Sequence, residues 1–342
     1  MMKIIVDAFG GDNAPSEIIA GAVKAVNAEK DFNIVLVGNE DIIKERLKDY
    51  TFDNARIEIV DAKEVITNDE EPTVAIRQKK DSSLCVAFKI LKEDDDAVAF
   101  VSAGSTGAVL VGATLKLGRL PGVSRPALCP VVPTLIEGKS VLILDVGANA
   151  DCKANNLHDF AIMGREYSKV AFGIKNPKIG LLSNGTEDKK GNALNHEVFP
   201  LLKADESLNF IGNMEAREIL SGDVDVVVTD GFSGNIAIKS IEGAIMTMLK
   251  MLKMEINSSF KTKMGGLLLK NSFTRLRGKL DYNNAGGAVF LGAKKLVIKS
   301  HGSSNADTMM ASILKAVDLA KADTIGALEN AFAKGFGVEE NQ

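Results

Sequence analysis

Five times along this chain an apolar, β-like run ends in a loop of Gly, Ser, Asn, Asp and Thr, and a helical pattern follows. The runs are KIIVDAFGGDNAP (Lys3 to Pro15), AVAFVSAGSTGA (Ala97 to Ala108), SVLILDVGANAD (Ser140 to Asp151), KIGLLSNGTEDKKGN (Lys178 to Asn192) and DVDVVVTDGFSGN (Asp223 to Asn235). A parallel α/β sheet puts all such loops at the carboxyl ends of its strands, where ligands bind. Glycines let backbone N–H groups approach a ligand closely, and helix N-termini favour anions by roughly 0.3–1 kcal/mol each. The repetition therefore predicts a composite site for a phosphate-like anion.

Further Val and Ile runs recur at NIVLVG (Asn33 to Gly38), ARIEIVDA (Ala55 to Ala62), NFIGNM (Asn209 to Met214) and KLVIKSHG (Lys295 to Gly302). Helical patterns lie between them, one being SEIIAGAVKAVNAE, with Ser16 as its expected N-cap behind Pro15. Alternating strand and helix predict a doubly wound α/β architecture, and no linker or repeat cuts residues 1–342 into separate domains. One segment breaks the alternation. From Ile236 to about Leu280 no strand pattern occurs, and Ile238, Ile241, Ile245, Met248, Leu249 and Leu252 recur at helical spacing. Ser258 to Tyr282 follows, with Gly265-Gly266 as a turn signal. A helical hairpin over residues 236–281, inserted into the α/β body, is expected.

The bulk numbers remove several function classes. A formal net charge of −4 offers nucleic acid no electrostatic footprint. Cys85, Cys129 and Cys152 are far apart, without metal-ligand spacing, and so small and odd a count suggests a reducing cytoplasm. KIIVDAF at the amino terminus is too short for a signal core, and no apolar run reaches the ~18 residues of a spanning helix. Membrane contact would be peripheral.

The loops offer candidate residues, each with an ordinary structural alternative. Asp7, Gly10, Gly11 and Asp12 can contact a ligand or form a tight turn without any dinucleotide fingerprint. Ser102, Gly104, Ser105, Thr106 and Gly107 bring three hydroxyls and two glycines to a helix start, where simple capping needs only one hydroxyl; an anion site is favoured. Glu137-Gly138-Lys139-Ser140 precedes a strand and has Pro133 where a nucleotide-binding P-loop needs glycine, so it is rejected as one. Asp145 and Asn149 can orient donors toward a polar ligand, or close an Asx-turn. Glu187, Lys189 and Lys190 put paired lysines at a strand end, suited to phosphate or simply solvated. Asp230 and Asn235 follow an all-apolar VVV; the Asn235 amide can donate to a developing oxyanion or cap the helix. His158, His196 and His301 form neither a metal set nor a nucleophile triad, though His301 sits in another strand-to-helix loop. Cys152 lies near the DVGANAD loop without an apparent base.

Taken in order, DAFGGDNAP, SAGSTGA, RPAL, DVGAN, AIMG, GTEDKKGN, FIGNMEAR, VVVTDGFSGN, Glu242-Gly243, GGA and HGSSNA resemble the bacterial phosphate acyltransferase family, PlsX, over nearly the whole length. Each fragment is weak and the ordered set is specific. The chain departs from the family pattern at Phe9, Ser105, Ser183-Asn184 and Ser233, and the Ser105 change removes an amide donor. The resemblance implies attack of inorganic phosphate on the acyl thioester of acyl carrier protein, giving acyl phosphate for glycerophospholipid synthesis, with no metal or organic cofactor. It implies a three-layer fold similar to isocitrate and isopropylmalate dehydrogenases and to phosphotransacetylases, and a homodimer. For this chemistry Lys190 is the expected phosphate clamp ahead of Lys189, Asn235 the oxyanion donor, and the Gly10–Asp12 and Gly104–Gly107 loops the phosphate cradle. A phosphotransacetylase-like reaction with acyl-coenzyme A is the alternative. A metal- and nicotinamide-dependent dehydrogenase is disfavoured, because TDGFSGNIAIKS lacks spaced aspartates. A non-catalytic membrane-surface protein fits poorly with so many donors at the strand ends.

The expected hairpin carries Lys261, Lys263, Lys270, Arg275, Arg277 and Lys279 with no Asp or Glu between Ile256 and Leu280. Met264, Leu267, Leu268 and Leu269 make an apolar tip beside Lys263 and Lys270. That pattern suits an anionic membrane surface first, and acidic acyl carrier protein second. A dimer contact is the plainer alternative. The protein is expected in the cytoplasm, attached peripherally to the inner face of the cell membrane.

Overall fold

Pro130 is the point where the chain crosses between two sheets. The computed structural model describes residues 1–280 and 286–336. Its strands are β1 (Lys3–Asp7), β2 (Asn33–Gly38), β3 (Ile57–Asp61), β4 (Ala97–Ser102), β5 (Ala127–Cys129), β6 (Val131–Pro133), β7 (Ser140–Leu144), β8 (Lys178–Ser183), β9 (Asn209–Glu215), β10 (Val226–Val228), β11 (Ala288–Leu291) and β12 (Leu296–Lys299). The first sheet runs β3-β2-β1-β4-β12-β11-β5 and the second β6-β7-β10-β8-β9. Pairing is parallel except at β11 with β12 and with β5, and at β6 with β7. β5 is an edge of one sheet and β6 an edge of the other.

The period-2 alternation of a strand explains the layers. In β1, Ile4 and Val6 join a core with Ile18 and Ile19 of the Ser16–Ala28 helix and Met309 and Ile313 of the Ala306–Lys321 helix. Ile5 points the other way, onto Leu84 and Phe88 of the Ser83–Glu93 helix. In β7, Leu142 and Leu144 face the first core, with Phe160 of the Ala154–Phe172 helix, while Val141 and Ile143 face the second, with Ile238. The same two apolar layers thus run across both sheets, giving the expected three-layer α/β sandwich.

Three strands have no counterpart in the sequence pattern. β5 and β6 are each three residues long and separated by a proline, and β11 is four residues long. Such short pieces are strands only because a partner strand supplies their hydrogen bonds. Ser16 is the first helical residue rather than a cap; Pro15 holds the cap position, with no side-chain cap bond.

The strand-free segment is three helices, Gly231–Ile256, Phe260–Leu268 and Lys270–Leu280. The first begins at Gly231, inside the α/β core, before the expected boundary at residue 236. Gly265 and Gly266 do not make the turn; both lie within the second helix, and the break falls at Leu269. Gly266 packs that helix onto the first, since a Cβ there would lie 2.4 Å from Ile256 Cγ2. Asp281 and Tyr282, and the side chains of Arg277 and Lys279, lie outside the described residues.

One buried carboxylate joins the two sheets. Asp145, at the end of β7, accepts 2.9 Å from Leu128 N in β5 through Oδ1, and 2.6 Å from Asn149 N through Oδ2. Ala148 N also donates to Oδ1 at 3.2 Å. Asn149 Nδ2 donates to Asp145 Oδ2 at 3.0 Å and to Pro126 O, just ahead of β5, at 2.8 Å. Replacing Asp145 by Ala leaves buried N–H groups without an acceptor, at about 1–3 kcal/mol each. The variant is expected to lose at least about 2 kcal/mol in denaturant unfolding; a change below about 0.5 kcal/mol would show that the sheets are joined without it.

Candidate active site

The Gly231–Ile256 helix starts hard against the Asp145 turn. Asp230 caps it, accepting 2.8 Å from Ser233 N. Gly231 N donates to Asn149 O at 2.9 Å. A Cβ on Gly231 would lie 2.5 Å from Asn149 O, and one on Gly234 2.0 Å from Asp145 O. Only residues without a Cβ allow this approach, and it carries the Asn235 side chain to Gly147, whose ideal Cβ position is 3.6 Å from Asn235 Nδ2. The cap role open to Asn235 in the sequence belongs to Asp230. The Asn235 amide is one turn further on and exposed.

It borders a cavity of about 420 Å³ that also takes in Thr106, Gly107, Gly147, Lys239, Glu242, Lys299 and His301. Lys299 closes β12, in register with Ser102 of β4. Its ammonium is buried and donates to Ala103 O at 3.3 Å and to Ser300 O. Burial pushes its pKa down to about 8, and the charges of Asp12 and Asp7 oppose that fall. His301 Nδ1 accepts from Ser303 N at 3.2 Å and lies 2.8 Å from Ser303 Oγ. Burial, with Lys239 and Lys299 nearby, lowers the His301 pKa, which favours neutral imidazole. Lys239 pairs with Glu242 at 2.9 Å.

The other candidates sit around this cavity rather than on its wall. Asp7 is buried behind it, its pKa pushed up by desolvation. Its Oδ2 accepts 2.8 Å from Ser102 Oγ, which in turn accepts 2.9 Å from Gly104 N. Gly10 is wedged against them, a Cβ there being 2.4 Å from Asp7 Oδ2 and 2.7 Å from Gly104 N. Gly11 takes φ +105°, and Asp12 N donates 2.8 Å to Gly302 O. These residues brace the loops that carry Thr106 and His301. Ser105 caps the Thr106–Gly112 helix through a long 3.5 Å bond from Ala108 N. The three hydroxyls expected to converge on one anion are therefore divided: Ser102 points inward, Ser105 caps and Thr106 meets the cavity. Asp145 and Asn149 close the turn described above, so the Asn149 amide faces Pro126 and Asp145 instead of a ligand.

The Lys190 loop stands on the other flank of the helix. Asn184 Oδ1 accepts from Gly191 N at 2.9 Å, and Asn213 Nδ2 donates to Glu187 O at 2.8 Å and Lys190 O at 3.4 Å. The backbone is pinned, and the side chains of Glu187, Lys189 and Lys190 are exposed. None of the three lines the Asn235 cavity. Of the sequence candidates, the cavity brings together Thr106, Gly107, Asn235 and His301. Lys239 and Lys299 are cavity residues that the loop motifs do not single out, and Glu242, part of the Glu242-Gly243 pair in the ordered set of fragments, joins them there. The available signal is a lysine ending an otherwise apolar strand, LVIK, separated from His301-Gly302 only by Ser300. Among the described residues no three His, Cys, Asp or Glu side chains cluster as a metal site.

The arrangement is that of an α/β protein whose cavity sets the Lys239 and Lys299 side chains beside a neutral amide donor. The family model described as fatty acid synthesis protein matches residues 2–326. A phosphate acyltransferase of Clostridium tetani is 44% identical over 330 residues, 96% of this chain and 97% of the relative. One of Pediococcus pentosaceus is 45% identical over 333 residues, covering 97% and 94%. In structure the chain is similar to a phosphotransacetylase from Streptococcus pyogenes, with TM-score 0.62, 20% identity and coverage of 95% and 94%. It is also similar to the EutD phosphotransacetylase from Staphylococcus aureus, with TM-score 0.58, 17% identity and 94% of each chain. The fold is shared with these two. The chain belongs to the fatty acid synthesis protein family, the PlsX phosphate acyltransferases, and is an enzyme of acyl transfer to phosphate.

The buried lysine makes the site sensitive to alkali. Lys299 loses its charge as pH rises through about 8, so the apparent KM for phosphate is expected to climb above that pH. In Lys299→Met the KM should be higher at pH 7 and flat across the same range. An equal climb in the variant would assign the effect to another group. The stability contribution has the same origin: between about 8 and 10.5 the unfolded chain holds the extra proton, so this group makes the fold more stable as pH rises there.

Proposed function

We propose that the acyl donor is acyl-acyl carrier protein and that the acyl phosphate formed enters glycerophospholipid synthesis. Phosphate is already a nucleophile at neutral pH, so the chemistry needs positioning and oxyanion stabilisation rather than a Ser or Cys nucleophile. A phosphate oxygen attacks the thioester carbonyl carbon. The carbonyl oxygen takes the negative charge and is held by the Asn235 amide. The C–S bond then breaks with its electron pair on sulfur, and the proton of hydrogen phosphate ends on the departing thiol. Lys239 and Lys299 supply positive potential on one flank of the helix. Lys190, on its pinned loop, clamps the incoming phosphate from the other, with Lys189 and Glu187 beside it. What carries this reading is the exposed, uncapped Asn235 amide in one cavity with two lysines and His301. The phosphate acyltransferase family supports it.

Wild-type protein is expected to form acyl phosphate from long-chain acyl carrier protein and inorganic phosphate without added metal or nucleotide. Asn235→Ala and Lys190→Ala should each lower kcat by about 10²–10³ with the fold intact. Efficient turnover of acyl-coenzyme A and none of the carrier protein would replace the donor. Retained activity in both variants would move the site elsewhere.

The same reading covers attachment to an anionic membrane. Leu268 is 85% exposed and Leu267 63%, with Phe260, Met264 and Leu269 also exposed. Lys261, Lys263, Lys270 and Arg275 are exposed among them. No helix among the described residues is long and apolar enough to cross a membrane. Apolar side chains flanked by cations suit the interface of an anionic leaflet. Exposed Met246, Met248, Met251 and Met254 on the long helix support pairing of two copies there. Replacing Leu267 and Leu268 together by Glu should abolish co-sedimentation with anionic vesicles and leave turnover of soluble substrate within about twofold. Undiminished sedimentation would exclude the tip.

A further inference from the structure

The Gly231–Ile256 helix separates two compartments of different character. Asn235, Ile238, Lys239 and Glu242 face the cationic cavity. Ser233, Ile236, Ala237, Ser240, Ile241 and Ala244 face a groove of about 710 Å³ on the opposite flank. Their spacing makes one continuous stripe along the helix. Leu182, one residue before the end of β8, and Ala216, following β9, lie in the facing wall. Gly191 and Asn192, which follow Lys190 directly, border the same groove. Leu182, Ala216 and the Ile and Ala residues of the stripe make its apolar part, and Asn184, Asn195 and Arg217 its polar part. It begins at Ser233 and Ile236, which flank Asn235 in the chain, and borders the Lys190 loop.

We infer that this groove holds the alkyl chain of the acyl donor, and that Ser240 and Ala244 set the chain length accepted. This rests on the acyl-transfer reading above. A thioester carbonyl at Asn235 can send its chain into the cavity or past Ser233 and Ile236 into the groove. The cavity with Lys239, Lys299 and His301 offers a methylene chain no gain over water on its charged side. The stripe does, at about fourfold in affinity for each buried methylene. The volume is within the range of small-molecule sites. Ser240 and Ala244 are small and exposed, one turn apart, so the groove is open where a long chain would run along the helix.

The test is a chain-length series of acyl carrier protein substrates, from four to sixteen carbons, with wild type, Ala244→Phe and Ser240→Leu, alongside the oligomeric state of each. In wild type kcat/KM should rise with chain length. Each variant should lose at least about tenfold on the longest donor and stay within about twofold on the shortest. Equal losses at every length, or no loss, would overturn the inference while leaving acyl transfer in place. A change in oligomeric state with loss on all donors would assign the stripe to a contact between copies and also overturn it. If wild type forms no acyl phosphate from any donor, the reading and the inference fall together.

Discussion

The Asp145 carboxylate sits where everything else must meet. It accepts hydrogen bonds from β5 of one sheet and from the turn after β7 of the other. A buried carboxylate is tolerated only when its oxygens are filled with donors. Here the donors come from both sheets, so satisfying the charge fixes their relation. The chain crossing at Pro130 and the Asn149 bond to Pro126 reinforce the same seam. Burial still pushes the Asp145 pKa upward against those bonds.

From that seam the site follows by contact. Gly231 and Gly234 bring the helix within a Cβ's width of Asp145 and Asn149. The helix then points one flank at the cavity with Lys239 and Lys299 and the other at a groove along Ile236, Ile241 and Ala244. A second buried carboxylate, Asp7, does the equivalent work in the first sheet. It holds Ser102, and through it Gly104, behind the loop that carries Thr106. Both carboxylates act on residues of the cavity at one remove. A carboxylate that faces backbone N–H groups organises loops without adding negative charge to the cavity, and Glu242, which does line the cavity, is paired with Lys239.

The α/β class was legible because strand-like runs and helical patterns alternate over most of the chain. The strand ends were legible because glycines and small polar residues gathered there. What could not be read was which polar groups remain available. Asn149 and Asn235 look alike in sequence, each a few residues past a buried strand. The fold turns Asn149 inward onto Pro126 O and leaves Asn235 exposed in the cavity. Lys190 and Lys299 are the converse pair. The loop lysine is conspicuous in sequence and exposed in the structure, whereas the strand-end lysine is inconspicuous and lies in the cavity wall.

The sequence by itself determined the layered α/β body, because periodicity of apolar residues is a local property that fixes which face of each strand and helix is buried. It also determined the set of glycines without which the loops could not approach one another. Only the tertiary structure decided that the strands divide into two sheets, that three short segments become strands, and that Asn235 meets Lys239 and Lys299 in one cavity. The decisive pairings, β5 with β11 and Asn235 with Lys299, join neighbours far apart in the chain, and no short window of sequence contains both members of either.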